Sequence, residues 1–124
     1  MKCLYAIPAD NTREAEALCE TYSASLEALS TNTVALADDL RAFAESAGAA
    51  VLKLDDEDWL VAQQELKAHG GGALAGDIYW SREAARRVLS ALNGASDSTT
   101  AARALASWLT NQVPRDRAVV LLAS

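Results

Sequence analysis

A chain of 124 residues, 51% apolar and 23% charged, is long enough to bury one core and too apolar to be disordered. A formal net charge of −6 argues against general nucleic-acid binding, since that affinity grows with cationic contacts to phosphate. The charge is also split along the chain: residues 1–60 carry a net −8 and residues 82–124 a net +3, an asymmetry that bears on partners and solubility rather than on fold.

Residues 3–7 form a short apolar run stopped by Pro8, which predicts a strand covered on both faces. Asn11 starts a helix with Glu14 as its capping-box partner, and Ala15, Leu18, Cys19, Tyr22, Leu26 and Leu29 repeat at helical spacing. Residues 30–33 break that helix and can cap the next. Leu36, Ala37, Leu40, Phe43, Ala44 and Ala47 form its stripe, and Gly48 terminates it. Residues 51–54 read as a second strand, near a sheet edge because Lys53 interrupts the apolar run. Asp55–Asp58 open a third helix with Trp59, Ala62 and Leu66 inward, closed by His69 and Gly70–Gly72.

Residues 73–80 are ambiguous between a short strand and a packed loop. Ser81 caps a fourth helix bearing Ala85, Val88, Leu89 and Leu92, stopped at Asn93–Gly94. Asp97 or Ser98 starts a fifth, carrying Ala101, Leu105, Trp108 and Leu109 and ended by Pro114. The unbroken apolar run 118–123 predicts a central strand. Strands separated by helical crossovers imply a single α/β domain over residues 1–124, with a three- or four-stranded, mostly parallel sheet covered by about five helices.

The stretch 3–9 does not resemble a signal peptide, because it runs straight into Asp10 and Asn11. The run 118–123 is too short to span a bilayer. The expectation is a cytoplasmic chain with no membrane contact. Cys3 and Cys19 lack metal-ligand spacing and read as buried, inert thiols.

Chemical signatures are sparse. Asp10, Asp55 and Asp56 fall beyond the carboxyl ends of two predicted strands, where ligands gather in open parallel sheets and where carboxylates suit Mg²⁺. Capping and the helix dipole account for the same residues, with Leu54 and Trp59 as a hydrophobic staple. His69-Gly70-Gly71-Gly72 resembles the oxyanion loop of some lipases and esterases, but no Gly-x-Ser-x-Gly accompanies it and His69 is the only histidine. It reads as a helix end. Asp10-Asn11-Thr12 resembles the phosphate loop of flavodoxins but has no glycine; a helix cap explains it equally well. Arg82, Arg86 and Arg87 mark a basic helix face able to meet a phosphate-bearing ligand or simply to face water.

No complete catalytic set, metal set or cofactor signature is present, so neither enzyme activity nor a cofactor is expected. The sequence favours a small acidic protein-binding module, of the inhibitor or bacterial immunity and antitoxin kind. Its basic partner would be a toxin or a nucleic-acid-binding protein. It would be engaged through a carboxylate-rich helical face of Glu16, Glu20, Glu27, Asp38, Asp39 and Glu45, extended by Asp56 and Glu57, with Trp80 as an anchor. The element order is similar to that of the barstar family of small acidic inhibitors, which have a short parallel sheet. That resemblance is architectural and transfers no residue role. The alternatives are a metal- or phosphate-ligand site at Asp10, Asp55 and Asp56 or at the Arg82, Arg86 and Arg87 face, and a self-associating scaffold in which acidic and basic halves of two copies meet.

Overall fold

The number of chain reversals between strands, made by helices or by loops, decides the direction in which the next strand runs. A single crossover helix brings the next strand back parallel, whereas an αα-hairpin adds one more reversal and brings it back antiparallel. The computed structural model describes residues 1–29, 31–94 and 99–123. In it, β1 (Lys2–Ile7) is followed by two helices, α1 (Thr12–Glu27) and α2 (Thr33–Ser46), before β2 (Ala50–Leu54). After α3 (Asp56–Ala68) the chain returns through residues 69–78 to a two-residue β3 (Tyr79–Trp80). Two more helices, α4 (Arg82–Asn93) and α5 (Thr100–Gln112), then precede β4 (Ala118–Ala123).

The sheet order is β2-β1-β4-β3, and every neighbouring pair is antiparallel. The α/β architecture with five helices and four strands matches the expectation from sequence. The mostly parallel sheet does not: each helix pair acts as a hairpin and not as a crossover, and after α3 the loop at 69–78 adds a further reversal, so that β3 runs opposite to β2 and β4 antiparallel to β1. The likeness to the barstar family, which rested on a parallel sheet, goes with it.

Strand positions follow composition closely. β1 and β4 occupy the centre, and their residues 3–7 and 118–122 are buried. Alternation sends Cys3, Tyr5, Ile7, Val120 and Leu122 to the face covered by α1 and α2, packing on Cys19, Leu40 and Ala44. It sends Leu4, Val119 and Leu121 to the opposite face, covered by α3, α4 and α5. β2 is an edge strand, as Lys53 foretold, with Val51 and Lys53 exposed.

Capping and glycine stops set half of the helix boundaries. The Asp55 carboxylate accepts from the Asp58 N–H at 2.7 Å, and the Ser81 and Thr99 hydroxyls accept from the N–H groups of Ala84 and Ala102, each at 3.2 Å. Gly48 and Gly70 take the left-handed conformation (φ +79° and +88°) that ends α2 and α3. The Gly71 N–H closes α3 onto the Leu66 carbonyl at 2.7 Å, so the His69–Gly72 motif is a helix stop.

Some expectations are corrected. Asn11 makes no side-chain cap and Glu14 therefore has no box to complete. A 3₁₀ turn at Ala9–Asn11 winds directly into α1, so Asn11 lacks the extended backbone a cap residue needs. Leu26 and Leu29 are exposed rather than inward; Leu29, at the tip of the α1–α2 hairpin, is 90% exposed. The residues Ser30, Asp97 and Ser98, expected to break or cap helices, lie outside the described residues.

Candidate functional site

Helical geometry collects three of the expected carboxylates. Positions 16, 20 and 27 project within about 40° of one another around α1. With Asp77, Ile78 and Tyr79 they line a groove of about 410 Å³ between α1 and the outer edge of β3, floored in part by Cys19. Four carboxylates line this groove, from Glu16, Glu20, Glu27 and Asp77, and among the described residues no cationic side chain does.

Burial dominates the chemistry of its neutral groups. It pushes the Tyr79 phenol up to about 12, assisted by the negative charge of Glu16 and by Cys19, and opposed by Arg82. Burial, followed by Glu16, likewise pushes the Cys19 thiol up to about 12. Cys19 therefore stays protonated and unreactive near neutrality. Both cysteines are free and buried.

The edge strand adds polar backbone to the groove. The Leu121 N–H donates to the Ile78 carbonyl at 2.8 Å. With Tyr79 opposite Val120, antiparallel alternation turns the N–H and C=O of Tyr79 away from β4, toward the free edge.

The remaining expected carboxylates do not join this surface. α1 and α2 lie side by side on one sheet face, so their outer flanks look toward opposite sheet edges. Glu45 borders the β2 side, in a depression with Val51 and Lys53. Asp38 pairs with Arg41 at 3.1 Å, and that guanidinium also donates to the Ala123 carbonyl at 3.1 Å. Asp39 is exposed on α2. Asp56 and Glu57 open α3 in the opposite layer, where Asp56 accepts from the Met1 amine at 2.7 Å. That contact holds the Asp56 carboxyl below its ordinary range. The single acidic helical face expected from sequence is thus divided, and its α1 part is the one that brings several carboxylates into one groove.

Trp80 is no surface anchor. It is fully buried, its indole N–H donates to the Leu74 carbonyl at 2.8 Å, and its ring lies 6.4 Å from that of Trp59. In a core poor in aromatics its volume is needed inside, and Leu74 satisfies its polar atom there. Trp59 is buried as well, with the Lys2 ammonium 5.6 Å from its ring centroid.

The alternative ligand sites come apart for topological reasons. Asp10 follows the end of β1, whereas Asp55 and Asp56 follow the end of β2, which runs the other way: Ala6 pairs with Ala50 and Lys2 with Leu54. The aspartates therefore sit at opposite ends of the sheet, separated by roughly 15–20 Å of strand. Among the described residues no group of three His, Cys, Asp or Glu side chains is placed to hold a metal ion. The arginine face divides too. Arg82 and Arg86 converge on Asp116 at 3.9 and 3.1 Å. Arg87 points elsewhere, bordering a depression with His69 and Gly70.

Asp77 and Tyr79 escaped the sequence reading because residues 73–80 carry neither helical nor strand periodicity. The Asp77 carboxylate, next to two residues of high strand propensity, was the available signal. Among the described residues no helix is long and apolar enough to cross a membrane. No protein-family model matches the chain, and neither curated proteins nor solved structures give a match.

Proposed function

We propose that the chain is a protein-binding module that takes a cationic, extended segment of a partner protein into the groove between α1 and β3. The observation that carries this reading is the groove's lining: four carboxylates and, among the described residues, no cation, beside an edge strand whose Tyr79 backbone faces outward. Arginine or lysine side chains satisfy the carboxylates, while main-chain groups of an extended segment pair with Tyr79. Net charge of −6 steers a basic partner toward the surface and speeds encounter. Occupation of a basic partner's own functional surface makes the chain an inhibitor, in the manner of an immunity protein. In this role it binds and performs no chemistry on the partner.

Affinity capture at low ionic strength tests the reading, with wild type compared against the triple variant Glu16→Lys, Glu20→Lys, Glu27→Lys. The expected result is a basic protein retained by wild type, released by salt and absent from the variant's eluate. Equal retention by both chains would refute the groove as the binding surface.

A further inference from the structure

The opposite edge of the sheet is also open. Among the described residues, no hydrogen bond beyond the β1–β2 ladder involves the backbone of residues 50–54. Val51 is 42% exposed and Met1 48%, and both border the depression that holds Tyr5, Arg41, Glu45 and Lys53. A five-residue unpaired edge is a ready template for another strand. Lysine on an edge usually discourages such pairing, so what Lys53 meets decides the matter.

We propose that β2 pairs with β2 of a second copy, antiparallel about Leu52, joining two four-stranded sheets into one. A two-fold axis through Leu52 sets residue 51 opposite residue 53 of the other copy and keeps like faces of the sheet together. Lys53 then lies across from the second copy's Val51, which shares its depression with that copy's Glu45. Neither Glu45 nor Lys53 makes an ion pair within one copy, since the described pairs involve other residues. The two-fold axis brings each Lys53 toward the other copy's Glu45, two such pairs in the dimer, and Val51 is covered at the same time. This surface lies at the far edge of the sheet from the acidic groove, so the dimer and the partner site are independent.

Sedimentation velocity over a concentration series tests the proposal. Wild type is expected to dimerise reversibly at low ionic strength. Lys53→Glu is expected to weaken the dimer about tenfold, through two lost attractions and two new repulsions. Glu45→Lys is expected to weaken it similarly, and the double exchange Glu45→Lys, Lys53→Glu to restore it. Circular dichroism confirms that each variant is folded, and the two single variants stand in for one another if one is not. A monomer at every concentration would overturn the proposal. A dimer untouched by either single variant, or one lost only in the Glu16, Glu20 and Glu27 triple variant, would do so too.

Discussion

Trp80 and Tyr79 are neighbours with opposite assignments, set by which face each presents. Trp80 spends its full aromatic surface on the core and its one donor on Leu74. Replacing it by alanine is expected to lower stability by about 3–5 kcal/mol, measured by urea denaturation. A loss under 1 kcal/mol would place the ring outside the core. Tyr79 stands at the groove with its phenol raised from 10.0 to about 12. Folding thus favours the neutral phenol over its anion. That contribution is fully present below pH 10 and is lost as pH climbs toward 12. Phenolate absorbance should accordingly show a late transition near 12 that vanishes in Tyr79→Phe. A transition near 10 in the difference between wild type and Tyr79→Phe would contradict the half-buried, acid-flanked setting. A sequence does not separate such neighbours: a tryptophan beside charged residues has the composition of a core filler and of an interface anchor alike. Asp55 was legible because a cap is a local event, decided within three residues.

At the scale of elements, the helices and the two central strands could be read from periodicity and apolar run length, and Lys53 marked its strand as an edge. Strand direction was not readable in the same way. It depends on whether two consecutive helices fold back on each other, which is a matter of tertiary packing and not of pattern. That one difference dissolved the carboxylate site at Asp10, Asp55 and Asp56, because a reversed β2 carries its following loop to the far end of the sheet. It also separated the acidic flanks of α1 and α2. The hairpin tip offers a check on this account of the helices. Leu29 is exposed and holds φ +52°, a conformation that costs a β-carbon-bearing residue roughly 1 kcal/mol or more. Leu29→Gly is therefore expected to stabilise the chain by about 0.5–1 kcal/mol, the strain relief outweighing the added freedom of the unfolded chain. Destabilisation in thermal or urea unfolding would show that the leucine side chain carries a contact of its own.

For the molecule as a whole, acidic and basic surfaces are distributed so that attraction to the proposed cationic partner would be local and not diffuse. Asp38, Asp56 and Asp116 are engaged by Arg41, the Met1 amine, and Arg82 with Arg86. Glu16, Glu20, Glu27 and Asp77 share a groove that, among the described residues, no cation lines. Binding should weaken as ionic strength rises, chiefly through a slower on-rate, because screening shortens the reach of these charges. Stopped-flow association at two salt concentrations would register this, and a salt-independent on-rate would contradict electrostatic capture. The division of charge between the chain's ends was visible in the sequence. Which carboxylates were free to act was not, since that depends on salt bridges between residues as distant in sequence as 86 and 116.

The most direct test is backbone chemical-shift mapping while an extended, lysine- and arginine-rich peptide is titrated into the labelled protein. Shifts concentrated at Glu16, Glu20, Glu27, Asp77, Ile78 and Tyr79, and reversed by added salt, are the predicted result. Shifts spread over every acidic residue, or centred on Asp38, Asp39, Asp56 and Glu57 while the β3 edge stays unchanged, would contradict it.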